Sequence, residues 1–297
     1  MARVLTLKQL SIQWQIGNQC NFRCDYCHPD LYGGSNPFLD YDKFQKGFLH
    51  LQESVSSYDQ IVIEFQGGEP TISTAIRNKI TDSNDTRYKY VLTTNASADL
   101  EWFEKAAPNF NNLILAYHPQ VDAQHFKDVV NLLRDKQVPI GVVVNAHNDA
   151  ERWAKAVDIY EYYKPTGIHL EFKTLFANYQ KGNDKFLNYT AEQWEYYTKL
   201  NGITVPEGQS VESQIVWVED HLYNNYKGHL CQAGVSQIVI DYFGFAYRGW
   251  CYAHGGLGNL FDSPIKLDID PRVCPKEICK NSFDQLAAKS EKGWGLS

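Results

Sequence analysis

Short apolar runs alternate with amphipathic stretches over the first two-thirds of the chain. The runs are rich in isoleucine, valine and aromatic residues, which favour strands. They predict strands at Leu10–Ile16, Ile61–Gln66, Tyr88–Thr94, Leu113–His118, Ile140–Asn145 and Ile168–Lys173. The stretches between them predict helices near Tyr41–Ser54, Leu100–Ala106, Asp122–Lys136 and Ala150–Tyr163, with Asp40, Asp122 and Asn148 as helix N-caps. The 76–85 stretch is short for a helix. A β-α-β-α order of this kind predicts a parallel sheet.

The alternation stops near Phe176, and the rest of the chain has a different pattern. It predicts helices near Ala191–Leu200 and Glu212–Tyr226, followed by a hairpin of Val235–Asp241 and Phe245–Trp250 around the Gly244 turn. We therefore expect two domains, residues 1–215 and residues 216–297.

Composition narrows the class of protein. The 297 residues are 43% hydrophobic and 21% charged, which is typical of a globular protein. No apolar run approaches the ~20 residues that span a bilayer. The formal net charge of −7 argues against nucleic acid as a partner. The N-terminus lacks the apolar core of an export signal, because Lys8, Gln9 and Ser11 interrupt it. We expect a cytoplasmic protein without membrane or nucleic-acid partners.

Seven cysteines fall into two groups that are separated by about 200 residues. The groups are Cys20, Cys24 and Cys27 near the start, and Cys231, Cys251, Cys274 and Cys279 near the end. An odd number of cysteines without an export signal argues against a disulfide framework and favours thiols that bind metal.

The first group reads Cys20-x₃-Cys24-x₂-Cys27 and follows the first predicted strand. Soft sulfur ligands select zinc or an iron–sulfur cluster, and three of them leave one position open. Other interpretations compete. Cys24-x-x-Cys27-His28 matches the attachment site of a c-type haem, and adding His28 gives a Cys₃His zinc site. A redox dithiol of Cys24 and Cys27 would leave Cys20 unexplained.

The cysteine spacing, with Tyr26 before the last cysteine, resembles the radical S-adenosylmethionine (radical SAM) enzymes. The sequence Gly67-Gly68-Glu69-Pro70, at the end of the second predicted strand, resembles the motif with which that family lines the methionine amino group. Glycines permit close approach of the backbone, and a carboxylate can pair with an ammonium. The resemblance covers residues 8–175. It implies an α/β fold with a partial (β/α)₆ TIM-like barrel, a [4Fe–4S] cluster on the three cysteines, and S-adenosylmethionine as cofactor.

The resemblance also implies site residues at the carboxyl ends of the strands, where such barrels hold their sites. Cofactor contacts are expected at Tyr26, Gly67, Gly68, Glu69, Pro70, Thr94, Asn95, His118 and Asn145. Candidates for catalysis are Tyr117, His118, His147 and Glu171. Candidates for substrate contact, by location alone, are Tyr32, Gln66, Tyr117, His147 and Glu171. His118 and Asn145 could instead cap strand ends, and Glu171 could pair with Lys173.

The four late cysteines can saturate one metal centre, either zinc or an iron–sulfur cluster. Beside the first group they resemble the small C-terminal twitch (SPASM-like) region of the family, a β-hairpin/helix domain that carries an auxiliary [4Fe–4S] cluster. Cys231 and Cys251 bracket the predicted hairpin, and Cys274-x₄-Cys279 is a looser spacing than expected. Three plus four ligands use all seven cysteines, so no thiol remains to donate hydrogen to a substrate radical.

The implied activity is reductive cleavage of S-adenosylmethionine to a 5′-deoxyadenosyl radical, which abstracts hydrogen from a small-molecule or peptide substrate. An auxiliary cluster favours oxidation or bond formation, and an external electron donor of the flavodoxin or ferredoxin type is expected. One alternative is a maturase that modifies a peptide presented by a separate recognition protein. An alternative of another class is a non-enzymatic zinc or electron-transfer protein.

Overall fold

The computed structural model describes residues 7–27, 33–177, 185–213, 226–279 and 281–289. Six parallel strands form most of a large sheet: β1 (Gln9–Gln15), β2 (Gln60–Gln66), β3 (Tyr88–Thr94), β4 (Phe110–Tyr117), β5 (Ile140–Ala146) and β6 (His169–Thr174). Each pairs with the next in chain order. The predicted α/β architecture with a parallel sheet is confirmed, and each of the six predicted strands is present.

Helices connect these strands and cover one side of the sheet. They are α1 (Tyr41–Ser54), α2 (Thr74–Thr81), α3 (Leu100–Ala106), α4 (Ala123–Asp135) and α5 (Ala150–Tyr163), followed later by α6 (Ala191–Asn201) and α7 (Ser282–Leu286). The short 76–85 stretch does contribute a helix, α2. The predicted helix at Glu212–Tyr226 lies mostly outside the described residues.

Two of the three predicted N-caps are confirmed, and one is wrong. Asp40 and Asp122 cap α1 and α4 with their side chains. Helix α5 is capped by Asp149, whose carboxylate accepts a hydrogen bond from Arg152 N at 3.1 Å. The neighbouring Asn148 instead donates its amide to Asn188 O at 3.0 Å. Both residue types can cap a helix, and this tertiary contact decides between them.

Side chains alternate between the two faces of the parallel sheet, as the pleat requires. On β1, Leu10, Ile12 and Trp14 are at most 1% exposed and join the main core. Trp14 packs on Phe44 of α1, with ring centroids 5.5 Å apart. Polar residues of the opposite parity, such as Gln13, lie on the inner face. This alternation decides which residues can reach a site inside the sheet.

The C-terminal region extends the same sheet. Strand β10 (Gln237–Ile240) pairs in parallel with β1, and β11 (Phe245–Tyr247) and β12 (Gly256–Asn259) add to it antiparallel. The predicted hairpin is thus confirmed, and β12 and β6 are the two edges of a nine-stranded sheet. The division into domains at residue 215 stays a prediction.

Two short antiparallel pairs complete the strands of the described residues: β7 (Phe176–Ala177) with β8 (Lys185–Phe186), and β9 (Leu230–Cys231) with β13 (Arg272–Val273). Within the described ranges, no helix combines the length and the apolar character that crossing a bilayer requires.

Candidate active site

A cavity of about 540 Å³ opens where the parallel strands end. Its wall is formed by the loop after β1, the turn after β2 and the ends of β3 to β6. The predicted site residues that line it are Cys20, Cys24, Tyr26, Cys27, Gln66, Gly67, Gly68, Glu69, Pro70, Thr94, Asn95, His118 and Asn145. The structure thus brings both sequence motifs to one cavity.

Three predicted candidates lie elsewhere. Tyr117 is fully buried on the other face of β4, where its ring packs edge-on against Phe126 of α4. Glu171 is exposed and does not line the cavity. His147 is buried beside the cavity wall rather than in it. Tyr32 lies outside the described residues.

The cysteine loop is a compact turn after β1. Cys27 N donates to Cys24 O at 3.0 Å, and Phe22 N donates to the Cys20 thiol sulfur at 3.3 Å. Burial raises the pKa of the Cys20 and Cys24 thiols. Three partly enclosed thiols at one cavity, with a backbone N–H directed at a sulfur, are a donor set that suits an iron–sulfur cluster.

Gly67 and Gly68 join this loop to the end of β2. Both have positive φ, +110° and +49°, and a Cβ on them would lie 1.7 Å from Gly17 O and 1.8 Å from Gln19 O. The next residue, Glu69, donates its backbone N–H to Gln19 O at 2.8 Å. The paired glycines therefore allow two loops to touch through their backbones, which any side chain would prevent.

Glu69 holds a buried carboxylate at the centre of this junction. One oxygen accepts hydrogen bonds from Thr71 N at 3.0 Å, Thr71 Oγ1 at 2.7 Å and Thr94 Oγ1 at 2.7 Å, and the other accepts from Asn95 N at 2.6 Å. Burial raises the pKa of Glu69, and these four donors oppose the rise. The carboxylate thus ties the turn after β2 to the end of β3.

The loop after β3 also contacts the cysteine loop. Asn95 Nδ2 donates to Asn21 Oδ1 at 2.9 Å, and Asn21 Nδ2 donates to Ser97 Oγ at 2.8 Å. Asn21 directly follows Cys20, so these bonds fix the chain beside a predicted ligand. Thr94 and Asn95, which were predicted as cofactor contacts, hold the surrounding loops in place.

His118 meets the cysteine loop from the end of β4. Its Nδ1 lies 2.6 Å from the Tyr26 hydroxyl and 3.6 Å from the Cys24 sulfur. Burial lowers the pKa of His118 to about 4, so its ring is neutral at neutral pH. Burial, first of all, also raises the pKa of Tyr26, which keeps its hydroxyl protonated. The phenol therefore donates and the imidazole nitrogen accepts.

Asp25 connects the outer side of the cysteine loop to helix α5. Its carboxylate lies 3.0 Å from Arg152 Nη1 and 3.4 Å from His147 Nε2. Burial alone would raise the pKa of Asp25, but the bond to Arg152 and the neighbouring His147 lower it. His147 is thus a support of the loop in this structure.

Sequence reasoning missed several residues of the wall. Gln15, Phe22, Glu64, Ala116, Leu175 and Phe176 line the cavity as well. Glu64 and Ala116 lie two residues before the predicted site residues Gln66 and His118, and Gln15 lies two residues after Gln13. All three therefore point to the inner face of the sheet. Counting every second residue back from each strand end could have found them.

The four late cysteines lie in one small module beside β10–β12. Strand pairing sets Cys231 of β9 opposite Arg272 of β13, and Cys274 N donates to His229 O at 2.7 Å. Cys274 and Cys279 are buried. The pKa of Cys279 is raised to about 11, first of all by burial; Lys289 opposes the rise, and negative charge at Asp284, Cys251 and Cys231 contributes to it. The thiols are therefore near enough to influence one another.

Asp284 of α7 organises the loop that carries Cys251. It is 4% exposed, and its two oxygens accept hydrogen bonds from Trp250 N at 2.9 Å and Cys251 N at 2.8 Å. Gln285 donates to Cys279 O at 2.7 Å. Among the described residues, no three histidine, cysteine or acidic side chains are grouped closely enough to hold a single metal ion.

No protein-family model matches the chain, and no curated protein matches it. Solved structures do match. Native anSMEcpe with bound AdoMet is 18% identical, with a TM-score of 0.50, over 86% of this chain and 79% of that one. Streptococcus suis SuiB bound to precursor peptide SuiA is 14% identical, with a TM-score of 0.50, over 86% of this chain and 63% of that one. The chain therefore shares the α/β fold of these two proteins.

Proposed function

We propose that this chain is a radical S-adenosylmethionine enzyme. Cys20, Cys24 and Cys27 would hold a [4Fe–4S] cluster, and S-adenosylmethionine would bind beside it at the Gly67–Pro70 turn. The observation that carries the proposal is the packing of Gly67 and Gly68 on the carbonyls of Gly17 and Gln19. This packing joins the cysteine loop and the glycine turn at one cavity, which two unrelated loops would have no reason to share.

When bound, the cluster supplies the electron that cleaves S-adenosylmethionine to methionine and a 5′-deoxyadenosyl radical, which takes a hydrogen atom from the substrate. The protein positions the reactants. Glu69 and Thr94 hold the turn after β2, and neutral His118 offers a hydrogen-bonding ring to the cavity. Phe22, Leu175 and Phe176 contribute apolar wall that excludes water.

Cys231, Cys251, Cys274 and Cys279 would ligate an auxiliary [4Fe–4S] cluster of the twitch type. Their mutual effect on pKa supports a common site. All seven cysteines are then ligands, so the reaction class is oxidation or bond formation rather than a rearrangement that needs a thiol hydrogen donor. An external donor of the flavodoxin or ferredoxin type would reduce the first cluster.

The substrate is a small molecule or a peptide. SuiB, which shares the fold, was captured with a precursor peptide, and this keeps peptide modification with a separate recognition partner among the proposals.

The test is the metal content and cofactor chemistry of protein purified and reconstituted without oxygen. Two clusters give roughly eight iron and eight sulfide per chain, and dithionite then releases 5′-deoxyadenosine from S-adenosylmethionine. Cys24→Ala should abolish that release and remove roughly half of the iron. Zinc at both sites, with no iron incorporated, would instead identify the alternative, a structural metal protein.

A further inference from the structure

Two carboxylates line the cavity, and they differ in how far the protein encloses them. Glu69 and Glu64 both lie in its wall, with Lys173 on the distant strand β6. Glu69 is 2% exposed and accepts four hydrogen bonds, three of them on one oxygen, from donors of Thr71, Thr94 and Asn95. Glu64 is half-buried on the inner face of β2 and presents its carboxylate to the cavity.

The hydrogen bonds of Glu64 fix its orientation through three residues. Trp250 Nε1 donates to Gln13 Oε1 at 2.6 Å, and Gln13 Nε2 donates to Glu64 Oε2 at 2.7 Å. An indole N–H can only donate, so the amide oxygen of Gln13 must face Trp250 and its NH₂ group must face Glu64. Gln13 is 6% exposed, and this burial restricts its amide to one orientation.

A second amide acts on the other oxygen. Gln66 Nε2 donates to Glu64 Oε1 at 3.2 Å. Both carboxylate oxygens therefore accept, which is the role of an ionised carboxylate, and both donors are neutral. Within the described parts of the chain, no lysine, arginine or histidine forms an ion pair with Glu64. Its negative charge is therefore not balanced by these residues, and it can attract a cation that enters the cavity. Partial desolvation in the cavity strengthens this attraction.

We propose that Glu64 selects a substrate with a cationic nitrogen, an ammonium or guanidinium group, and that Gln13 and Trp250 are positioning residues for it. The inference rests on the proposed function, since it takes this cavity as the substrate site. Trp250 precedes the predicted ligand Cys251, so the C-terminal module helps to shape the substrate side of the cavity. The cation could belong to a free amine or to the side chain of a peptide.

The test compares matched cationic and neutral probes on reconstituted protein saturated with S-adenosylhomocysteine. Isothermal titration calorimetry is run with n-butylamine against n-butanol, and with a capped Gly-Lys-Gly peptide against its Nε-acetylated form. We expect the wild type to prefer the cation of at least one pair by about tenfold. Preference in the first pair identifies a free amine as the source, and preference in the second identifies a peptide.

Glu64→Gln keeps the shape of the side chain and should abolish the preference. Glu53→Gln removes the same charge from an exposed position of helix α1, outside the cavity, and should retain it. Trp250→Phe keeps an aromatic ring without the N–H donor and should reduce the preference by severalfold, and full preference in this variant would overturn the role of Trp250.

Equal binding of cation and neutral probe to the wild type, binding of neither, or an unchanged preference in Glu64→Gln would overturn the proposal. Binding of S-adenosylhomocysteine is measured first on the same samples. A protein that does not bind it contradicts the proposed function, whereas one that binds it without a cation preference contradicts the role of Glu64 alone.

Discussion

Glu69 keeps a carboxylate inside the protein because four donors surround it. A Glu69→Gln substitution replaces one acceptor oxygen with an NH₂ group that faces N–H or O–H donors of Thr71, Thr94 or Asn95. A buried donor left without a partner costs about 1–3 kcal/mol. We expect a loss of about 3 kcal/mol in the free energy of unfolding, measured with urea. The exposed Glu171→Gln should change it by less than about 0.5 kcal/mol, and equal effects of the two variants would contradict this role.

The buried imidazole of His118 is expected to make the stability of the protein depend on pH. Its folded-state pKa is about 4, below the ordinary value of 6.5, because burial disfavours the charged ring. The unfolded chain therefore binds more protons than the folded protein in this range. The stability is fully present above pH 6.5 and is lost as the pH falls from 6.5 toward 4.

The size of this effect can be checked against a variant that does not titrate. Between pH 7.5 and pH 5, the wild type should lose about 2 kcal/mol more of its free energy of unfolding than His118→Gln does. Urea unfolding of both proteins at the two pH values measures the difference. Parallel loss in the two proteins would show that His118 does not titrate between its folded and unfolded states as described.

The sequence predicted which residues form the site wherever a local motif contains them, but it did not predict the hydrogen-bond partners of their side chains. The motif predicted Glu69 at the site, but it did not predict the hydrogen bonds that Glu69 accepts from Thr71, Thr94 and Asn95. The contact between Gln13 and Trp250 spans 237 positions, so no local pattern announces it. Contacts of this kind depend on which strands lie next to each other in the folded sheet.

At the scale of elements, the junction of the cysteine loop and the turn after β2 depends on backbone contact. Gly68→Ala adds a Cβ that would lie 1.8 Å from Gln19 O, at a φ of +49°. Gly202→Ala is a matched control, since its φ is +62° with nothing within 4 Å. Both changes pay the strain of positive φ, about 1–2 kcal/mol, and Gly68→Ala adds the clash.

We therefore expect Gly202→Ala to lower the melting temperature slightly and to keep the full iron content. Gly68→Ala should lower it much further and lose the iron held at the first cysteine group. Differential scanning calorimetry and iron analysis on the same samples separate the two effects. If the two variants have the same melting temperature, Gly68 is required only for its positive φ and not for the close approach to Gln19 O.

Helix α7 supports the second cysteine group through one side chain. The carboxylate of Asp284 accepts hydrogen bonds from Trp250 N and Cys251 N. Asp284→Asn would replace one of its oxygens with an NH₂ donor that faces one of these N–H groups. We expect the late site to lose its metal, so that iron falls from roughly eight to roughly four per chain, while S-adenosylmethionine cleavage persists. Asp262→Asn, at an exposed position of the same region, should keep all of the iron. Full iron in Asp284→Asn would contradict this support.

Elements were more predictable than the details at their ends. The alternation of Leu10, Ile12 and Trp14 with polar residues follows from one buried face, and it located β1 without any tertiary information. The cap of α5 moved from Asn148 to Asp149 because a distant loop carbonyl, Asn188 O, takes the Asn148 amide. Strand ends were also predicted, but Tyr117 shows that one residue of parity decides between cavity and core.

At the scale of the whole molecule, one sheet joins regions that the sequence predicted as separate domains. The end of the β-α alternation near Phe176 predicts a change in architecture, and in the structure the run of helix-connected parallel strands ends with β6. Nothing in the local sequence of Gln237–Ile240 reveals that this strand returns to pair with β1. Long-range pairing depends on the edge that the rest of the sheet leaves open.

This pairing makes a prediction about the fragment of residues 1–215. Removing the remainder exposes the edge of β1 at Ser11–Trp14 and removes Ile238, Val239 and Ile240, each of which is fully buried. An open, apolar strand edge is a template for aggregation. We expect the fragment to elute as aggregates in size-exclusion chromatography, and co-expression with residues 216–297 to restore a soluble complex. A monomeric fragment that unfolds cooperatively would instead show that the first 215 residues form an independent domain, and that β10 is an addition to a sheet already complete at β1.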